Sequence, residues 1–381
     1  MSKNNIIYIA NSQFPNLSAN NIHIWNMCHA LHRSSSLDQV ITRSNHPFES
    51  KNNYLNKCKK IFSTEPEFRH KRIKSLRGLK DLDFNFSLQS YLRKIDAKLV
   101  YTRALNTAFI AIDTPSIKAL VLELHEPPRS HVEKAQFKYI CTHKGLKKLV
   151  CITHALKSHI CHHFQLPDTL VDVLPDCASP IEFSQKDSRS LDKKYFGTNL
   201  DVSYVGHLYE GRADILISIA KELSHSTINI FGGTRKDILR YLSLLKQNNV
   251  ENVCLHGHVK YPEARYVMKR SKILLMPYSD KVLTKMGTNS TNWMSPLKMY
   301  EYMLSKSLIL TSDLPAIREV LDSNTSVLLN CNDHVAWARA IESGLLDFKS
   351  HAPTIERAYN LAKGLTWDDR ARLIADYFHA D

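Results

Sequence analysis

The amino-acid sequence predicts an α/β protein built from two doubly wound, Rossmann-like domains in tandem. Short apolar runs of strand length alternate with amphipathic helical patterns, which is typical of parallel sheets covered by helices on both faces. A polar stretch near the middle interrupts this alternation, which then resumes. The chain has 381 residues, 43% of them hydrophobic and 23% charged, so it is long enough for two or three domains that each bury a core.

The N-terminal domain is predicted to span residues 1–180. After its first strand, a helix is expected over residues 20–32, because Ile24, Cys28 and Leu31 form one apolar stripe. Helical patterns separate most of the later strands. The predicted strands, each an apolar run, are 4–10, 38–43, 97–103, 118–125, 147–153 and 169–175.

The C-terminal domain is predicted to span residues 181–362. Residues 176–198, at its start, are polar and weakly periodic, which predicts an interdomain linker. The final residues, 363–381, predict a helix that packs back on the N-terminal domain. The strands expected in the second domain are 202–208, 227–233, 252–259, 272–278, 307–313 and 325–330.

The positive charge of the chain is concentrated in its first half. Residues 1–180 hold 25 Lys and Arg against 14 Asp and Glu, which accounts for most of the formal net charge of +14. This asymmetry predicts a negatively charged partner: a membrane surface, a polyanionic acceptor or a nucleic acid. The segment FRHKRIKSLRGLK (68–80) interleaves cations with apolar residues, which indicates either a membrane-surface element or a solvated helix face. The charge excess favours the membrane.

The N-terminus lacks the apolar core and cleavage site of a signal peptide, and no apolar run approaches the ~20 residues needed to cross a bilayer. The 8 cysteines are scattered without a CxxC pair, which favours buried, reduced thiols. We therefore expect a cytoplasmic protein, which would lie at the inner face of the cytoplasmic membrane if its basic face binds lipid.

The stretch WMSPLKMYEYM (293–303) places charges in otherwise apolar sequence. Ser295 is a good N-cap and Pro296 suits the first helical position, so a helix is expected to begin here. Lys298 and Glu301 are three residues apart and share a face of that helix. They form either an ordinary surface ion pair worth about 0.3–0.5 kcal/mol or part of an anion site at the helix start, where free N–H groups and the helix dipole favour phosphate.

Two other stretches suggest metal ligands. The segment CITHALKSHICHHF (151–164) contains two cysteines and four histidines at a density that suggests zinc. However, the residues after Cys151 run along one predicted helix with no second ligand pair nearby, so no metal is predicted. The DLD segment (81–83) precedes a helical pattern instead of ending a strand, which favours a helix start over a metal-binding Asp-x-Asp. Neither a Walker P-loop nor a Gly-x-Ser-x-Gly turn occurs.

Several motifs stand at the ends of predicted strands. YVGHLYEGRAD (204–214) has the form of a glycine phosphate loop, with Gly206 first and Arg212 at the lysine position. The strongest motif is SPLKMYEYM followed by TSDLPAIREVL. Together these motifs resemble the retaining glycosyltransferases of family 4, which have the GT-B architecture of two Rossmann-like domains facing across a cleft. Other segments that fit the resemblance are FGG (231–233), HGHV (256–259), MPY (276–278), LTWDDRARLI (365–374), NSQFPNLSANNIHIWNMCHAL (11–31), VYTR (100–103) and ELHEPP (123–128).

The resemblance implies roles for particular residues. In the second domain, Glu301 would accept hydrogen bonds from the donor ribose, while Lys298 and Arg212 would neutralise the diphosphate. The remaining donor-binding residues would be Gly206, His207, Gly232, Gly257, His258, Val259, Ser295, Pro296 and Leu297. His125, after an apolar strand, would face the donor sugar and act with Arg212 and Lys298 as a catalytic residue. Asn20, Arg103 and Trp293 would face the sugar or the acceptor.

The sequence departs from the family pattern at three positions. Trp293 stands where the family usually has the first of two glutamates, so the donor sugar is not predicted. His207 replaces the arginine of the Gly-Arg-Leu motif and would still donate to phosphate. Lys306 replaces the glycine that usually caps the helix of Glu301; because a left-handed conformation there would cost about 1–2 kcal/mol, the helix is expected to end differently.

The resemblance implies a retaining glycosyltransferase that needs no metal and no cofactor. It would move a sugar from a UDP- or GDP-sugar to a hydroxyl of a glycan or lipid-linked acceptor in cell-surface polysaccharide synthesis, and would contact the membrane peripherally. One alternative is a nucleotide-sugar 2-epimerase of the same fold. Another is a transferase or binding protein that acts on nucleic acid, although no DNA-reading module is recognisable and binding would weaken steeply with salt.

Overall fold

A computed structural model describes residues 5–44, 49–75, 82–95, 99–208, 212–281 and 289–379, without the side chains of residues 82, 186, 212 and 213. The chain divides into two compact units. The first comprises Met1–Asp176 with Thr366–Asp381, and the second comprises Cys177–Leu365. Each unit contains a parallel sheet with helices between its strands, which confirms the predicted fold class. No helix in the described part of the chain is long and apolar enough to cross a membrane.

The first unit has, among its described residues, a seven-stranded sheet of order β3-β2-β1-β4-β5-β6-β7. Its strands are β1 (Ile6–Gln13), β2 (Leu37–Ser44), β3 (His70–Lys74), β4 (Leu99–Thr102), β5 (Ala119–Leu124), β6 (Leu146–Cys151) and β7 (Val171–Val173). Its helices before the second unit are α1 (Ala19–Arg33), α2 (Lys51–Phe62), α3 (Leu82–Leu92), α4 (Leu105–Ile112), α5 (His131–Thr142) and α6 (His154–Phe164), and residues 168–170 form one 3-10 turn.

The second unit has, in the part that the structure describes, a six-stranded sheet of order β10-β9-β8-β11-β12-β13. Its strands are β8 (Val202–Val205), β9 (Ile228–Phe231), β10 (Val253–Gly257), β11 (Ile273–Met276), β12 (Leu308–Ser312) and β13 (Val327–Leu329). Its helices are α7 (Gln185–Lys194), α8 (Arg212–Glu222), α9 (Arg235–Gln247), α10 (Tyr261–Arg270), α11 (Leu297–Leu304), α12 (Pro315–Arg318), α13 (His334–Leu346) and α14 (Ala352–Lys363), with a 3-10 turn at 348–351.

The last helix, α15 (Trp367–Asp376), belongs to the first unit, where it packs against α1. At the surface of this contact, Arg33 Nη2 lies 2.6 Å from Asp368 Oδ1. The chain order of both sheets reverses beside the first strand of the unit, between β1 and β4 and between β8 and β11. In open α/β sheets, ligands bind at the carboxyl ends of the strands near such a reversal.

Apolar burial explains why these strands form. All six residues of β5 are buried, as are all four residues of β8, β9 and β11. Strands covered on both faces are mostly apolar, which is why they were visible as apolar runs. Several helices begin at conventional caps: the Ser18 hydroxyl accepts from the Asn21 N–H at α1, and Ser130 with Glu133 forms a capping box at α5.

Two predicted segments are corrected by the structure. Residues 70–74, inside the basic segment predicted as a membrane-surface element or a solvated helix face, form the edge strand β3; pairing with β2 outweighs the short helical pattern. Residues 76–81 of that segment, including Asp81 of the DLD motif, lie outside the described residues, and α3 starts at Leu82 as the helix interpretation of DLD predicted. The predicted linker 176–198 contains helix α7, whose N-cap is Ser184.

The expectation that α11 would end differently from the family pattern is wrong. Lys306, two residues after Leu304, adopts a left-handed conformation with φ +59°. Its Nζ lies 3.0 Å from Glu356 Oε2 and 4.1 Å from the ring centroid of Tyr359. These contacts offset the roughly 1–2 kcal/mol that a left-handed non-glycine residue costs.

Candidate functional site

Three glycines meet at the carboxyl ends of neighbouring strands in the second unit. Gly206 follows β8, Gly232 follows β9, and Gly257 ends β10. The Gly206 N–H donates to Phe231 O (2.9 Å), and the Gly232 N–H donates to Gly257 O (2.7 Å). Gly232 has φ +134°, and a Cβ there would lie 1.8 Å from Gly206 O. The strand ends can therefore approach this closely only without a side chain between them.

We call the meeting point of Gly206, Gly232 and Gly257 the glycine edge, and the ammonium of Lys298 lies beside it. Its Nζ donates to Tyr204 Oη (3.2 Å) and lies 4.3 Å from the ring centroid of Tyr204. A Cβ on Gly206 would lie 3.1 Å from the same Nζ. Helix α11 is tied to β8 by Tyr302, whose hydroxyl accepts from the Val205 N–H (2.9 Å) and donates to Val205 O (3.1 Å). The fold thus brings the predicted residues Gly206 and Lys298 together.

The carboxylate of Glu301 is buried in the same unit, with the residue 8% exposed. Burial raises its pKa above the ordinary value, although the Tyr261 hydroxyl donates to it and Arg265 and Lys298 are close enough to oppose the shift. Glu301 and Lys298 lie three residues apart on α11, as predicted. A buried carboxylate with a hydroxyl partner can accept hydrogen bonds from a ligand that carries neighbouring hydroxyls.

The start of α11 differs by one residue from the prediction. Leu297 is its first residue and Pro296 occupies the N-cap position without a side-chain cap. Ser295, the predicted N-cap, is buried, and its Oγ lies 3.0 Å from Tyr300 Oη. The hydroxyl that was expected to cap the helix is therefore used to hold a tyrosine of the same helix.

The other predicted residues of the second unit are more exposed or less fully described. The His207 carbonyl accepts from Tyr204 Oη (2.7 Å), and His258 is exposed just after β10. Val259 packs against the apolar core, and Trp293 is half-buried in the turn before α11. Arg212 is the first residue of α8, but its side chain is outside what the structure describes, as are residues 209–211 before it.

In the first unit, a buried carboxylate lies at the centre of a charged cluster. Glu123, on β5, is 0% exposed. Arg370 Nη2 lies 2.9 Å from its Oε2, and the Tyr101 hydroxyl donates to the same oxygen. Burial alone would raise the pKa of Glu123, but Arg370 and a hydrogen bond from His125 outweigh burial and hold the pKa well below its ordinary value. Glu123 is therefore an anion inside the protein.

His125 is held between Glu123 and Arg103. Its Nε2 lies 2.6 Å from Glu123 Oε1 and 2.9 Å from Arg103 Nε, and its Nδ1 lies 3.0 Å from Arg103 Nη2. Because an ionised carboxylate only accepts, we place the proton on Nε2, which donates to Glu123, whereas Nδ1 accepts from Arg103. Arg103 Nε then faces Glu123 Oε1, 3.3 Å away. Burial and Arg103 lower the pKa of His125 to about 4. The imidazole is therefore neutral at physiological pH, and it is a poor general base.

Two further buried groups complete the cluster. His23 Nε2, on α1, lies 3.5 Å from Glu123 Oε1 and 3.4 Å from Asp176 Oδ1. Burial lowers the pKa of His23 and raises that of Asp176 to about 7. Asn20, predicted to face the sugar, is exposed in the first turn of α1, whereas Asn21 is fully buried. The structure thus gathers Arg103 and His125 but not Asn20.

The cluster does not suit a metal ion. Within the described ranges, His23, Glu123 and His125 are the only group of three such side chains whose ligand atoms lie within 4.8 Å of one another. However, the guanidinium of Arg370 already neutralises Glu123, and Arg103 Nε lies 3.3 Å from Glu123 Oε1. Two arginines this close would repel a divalent cation. The zinc alternative on 151–164 gains no support, since those residues form no such group among the described ones.

The sequence analysis missed Glu123 and Arg370 as site residues. A signal for Glu123 was present, because it lies two residues before His125 and side chains two apart lie on the same face of a strand. No such signal exists for Arg370, which is 247 residues away from Glu123. A charged residue in an amphipathic terminal helix is ordinarily exposed, yet Arg370 is 3% exposed.

Comparison with known proteins finds a family match within the second unit and similar folds over nearly the whole chain. Residues 199–347 match the family model described as "Glycosyl transferases group 1". Comparison with curated protein sequences finds no match. Among solved structures, the chain is similar to Anabaena Alr3699/HepE in complex with UDP-glucose, at 13% identity and a TM-score of 0.72, over 98% of this chain and 99% of that chain.

Two other solved structures show the same likeness. Sucrose-phosphate synthase from Thermosynechococcus elongatus has 14% identity and a TM-score of 0.73, over 98% of each chain. WaaG, a glycosyltransferase involved in lipopolysaccharide biosynthesis, has 13% identity and a TM-score of 0.66, over 97% of this chain and 99% of that chain. At these identities the likeness establishes a fold, GT-B. Together, this fold and the glycosyltransferase group 1 domain in the second unit support a GT-B glycosyltransferase.

Proposed function

We propose that the protein is a retaining glycosyltransferase of family 4 that moves a sugar from a nucleoside-diphosphate sugar to a hydroxyl group. The observation that carries this proposal is the meeting of the glycine edge, the Lys298 ammonium and the buried Glu301 carboxylate in the second unit. Backbone without side chains admits a diphosphate closely, and the ammonium neutralises its charge. Glu301 accepts hydrogen bonds from the ribose hydroxyls.

The donor is proposed to be a UDP- or GDP-sugar. The solved complex of Alr3699/HepE with UDP-glucose supports a uridine donor, although the base is left to experiment. No metal is required by the proposal, because fixed cations and the start of α11 can stabilise the developing negative charge of the leaving diphosphate. Arg212, at the start of α8, is proposed to add a second cation.

We propose that the sugar is transferred directly, without a covalent intermediate on a nucleophilic side chain of the protein. Of the carboxylates in the described cluster beside His125, Glu123 is fully buried and paired with Arg370, and Asp176 is buried with its pKa raised to about 7. His125 is neutral, and its Nδ1, which accepts from Arg103 in the free protein, is proposed to accept instead from a sugar hydroxyl in the complex. The bond from the anomeric carbon to the diphosphate oxygen breaks as the acceptor oxygen bonds to that carbon on the same face, so the configuration is retained. The acceptor proton passes to the leaving diphosphate.

The acceptor is proposed to be a glycan or a lipid-linked glycan in cell-surface polysaccharide synthesis. Support comes from the basic first unit and from the likeness to WaaG, a glycosyltransferase involved in lipopolysaccharide biosynthesis. Cations near an anionic bilayer contribute roughly 1 kcal/mol each to binding. We propose peripheral contact with the inner face of the cytoplasmic membrane on this basis.

The deciding experiment measures thermal unfolding of the wild type against UDP, GDP, ADP and CMP. A ligand at a hundred times its Kd adds about 2.7 kcal/mol of stability, which shifts the midpoint visibly. One diphosphate is expected to stabilise the wild type and not Glu301→Gln. Glu222→Gln, an exposed carboxylate of the same unit, is the matched control and is expected to respond as the wild type does.

Failure of every nucleotide to stabilise the wild type at millimolar concentration would contradict the proposal. Release of the nucleoside diphosphate from the donor is then measured with and without EDTA, and the two rates are expected to be equal. Epimerised sugar nucleotide formed without any acceptor would instead identify a 2-epimerase.

A further inference from the structure

Arg370 is the most heavily bonded charge in the first unit's cluster. Its Nη2 donates to Glu123 Oε2 (2.9 Å) and to Leu174 O (3.1 Å). Its Nε donates to Pro175 O (3.1 Å), and its Nη1 donates to Tyr101 Oη (3.1 Å). A planar guanidinium with five N–H donors can reach acceptors in several directions at once, whereas a lysine ammonium cannot span them.

These contacts join the two points where the chain passes between units. Leu174 and Pro175 immediately precede Asp176, the last residue of the first segment of this unit. Arg370 lies four residues after Thr366, where the chain returns to it. One guanidinium therefore fixes the outgoing and the returning segments to β4 and β5 of the same unit.

Glu123 transmits this arrangement to His125. One carboxylate oxygen, Oε2, accepts from Arg370, while the other, Oε1, accepts from His125 Nε2 at 2.6 Å. A carboxylate whose two oxygens are separately held cannot rotate without breaking one of these bonds. Donors of Arg103 lie beside both imidazole nitrogens, 2.9 Å from Nε2 and 3.0 Å from Nδ1, so they do not select a tautomer. The orientation of Glu123 decides which nitrogen carries the proton, because of these contacts only the one at Nε2 is to an acceptor-only carboxylate.

We propose that Arg370 and Glu123 form a positioning pair that fixes the orientation and the tautomer of His125. Neither residue needs to touch the substrate; both act through the imidazole. The catalytic consequence of this pair rests on the proposed function, in which His125 holds a sugar hydroxyl. The orientation and tautomer of His125 do not depend on that function.

The first test reads the ring of His125 directly. The protein is labelled with 15N-histidine, and the His125 signals are identified by their absence in His125→Gln. In the wild type, the ring nitrogens are expected to show one neutral tautomer with the proton on Nε2. In Arg370→Lys, both tautomers are expected. An Arg370→Lys spectrum with the wild-type shifts of His125 would overturn the proposal.

A second variant covers the case in which Arg370→Lys does not fold. The double variant Glu123→Gln/Arg370→Gln removes both charges together, so no unpaired charge stays buried. It is expected to lose the single Nε2–H tautomer as well. Retention of that tautomer in the double variant would equally overturn the proposal.

The matched control is Ile374→Ala, on the same helix. Ile374 is fully buried, so its truncation lowers the melting temperature without touching Glu123. The control is expected to keep the His125 tautomer and the wild-type kcat. A change of tautomer in Ile374→Ala would show that general loosening of α15 explains the effect, and the positioning role would fall.

The kinetic test uses UDP-glucose as donor and water as acceptor of the glucosyl group, and measures UDP release below the melting temperature of each variant. Arg370→Lys is expected to lower kcat at least tenfold while the KM for UDP-glucose stays within threefold, because the nucleotide contacts lie in the second unit. A normal kcat in Arg370→Lys, beside an active wild type, would overturn the pair's catalytic role. No UDP release by the wild type would count against the proposed donor instead, and the tautomer spectrum would still decide the positioning.

Discussion

The candidate residues of the two units differ in their surroundings: buried, paired charges in the first unit, and bare backbone beside a cation in the second. In the first unit, Glu123 and Arg370 are buried, and each bonds to partners inside the protein. In the second unit, backbone at Gly206 and Gly232 forms the edge, and the ammonium of Lys298 lies beside it. The first arrangement fixes side-chain orientation, whereas the second brings bare backbone close to a cation.

This difference follows from the physical chemistry of each kind of group. Buried charges lose their hydration, so each is tolerated only with a partner in place, and removing one partner is strongly destabilising. Backbone amides carry no such penalty when they reach solvent or a ligand, and glycine allows the ligand to come close. We therefore expect single substitutions to damage stability in the first unit through charge, and in the second unit through sterics.

The largest effect is expected from breaking the buried ion pair. Glu123→Ala should destabilise the first unit by about 3–5 kcal/mol, because Arg370 would stay buried without its carboxylate. Since two units need not unfold together, the measurement is hydrogen exchange of peptides from β4 and β5. The double variant Glu123→Leu/Arg370→Met is expected to recover much of this loss.

Asp368→Ala is the control for this prediction. It removes a pair between α15 and α1 whose two side chains are 51% and 56% exposed. Pairs this exposed are worth about 0–1 kcal/mol. If Asp368→Ala destabilised the first unit as much as Glu123→Ala, burial of the Glu123–Arg370 pair would not explain the size of the stability loss.

The next effect is steric and belongs to the second unit. Gly232→Ala should destabilise that unit by at least about 3 kcal/mol, because its Cβ would lie 1.8 Å from Gly206 O at a φ of +134°. Binding of UDP should be lost with it. Gly197→Ala is the matched control, since Gly197 also has a positive φ but no atom within 4 Å of its Cβ position. About 1 kcal/mol is expected there from the backbone alone.

Equal stability of the two alanine variants, measured by exchange of peptides from β8 and β9, would refute the claim that the strand ends need a bare backbone. A loss of UDP binding in Gly232→Ala without a loss of stability would instead assign the glycine to the ligand alone.

Much of the fold was predictable because parallel strands buried on both faces are continuous apolar runs. The strand β3 was not, since its residues His70–Lys74 are mostly basic and only pairing with β2 makes them a strand. The start of α11 was missed by one residue, because Ser295 bonds to Tyr300 instead of capping the helix. Local sequence rules do not take into account tertiary contacts that compete with local preferences.

The candidate site residues also divide into those that were predictable from the sequence and those that were not. Gly206, Lys298 and Glu301 were predictable, because a glycine after a strand and charges at a helix start are local signals. The partnership of Glu123 with Arg370 was not, since it joins residues 247 positions apart and depends on where α15 returns. Local patterns therefore identified Gly206, Lys298 and Glu301 as candidates, whereas the pairing of Glu123 with Arg370 needed the fold.

The smallest predicted effect is a difference in acid sensitivity between the units. Burial and Arg72 lower the pKa of His70 to about 3, and the neutral ring lies between Tyr54 Oη (2.5 Å) and Thr42 Oγ1 (2.8 Å). The unfolded chain binds a proton near pH 6.5 that the folded unit does not bind. The contribution of His70 is therefore full above about pH 6.5 and is lost as the pH falls, by about 2 kcal/mol between pH 7 and pH 5.

Glu301 of the second unit should act with the opposite sign, because burial raises its pKa. A raised carboxyl pKa contributes stability below its unfolded value and loses it as the pH rises, which is the opposite sign. Hydrogen exchange at pH 7 and pH 5, corrected for intrinsic rates, is expected to show a weaker pH slope for β1 to β3 in His70→Phe than in the wild type. His131→Gln, at an exposed position of α5, should keep the wild-type slope. Equal slopes for His70→Phe and the wild type would mean that acid sensitivity arises from groups other than this buried imidazole.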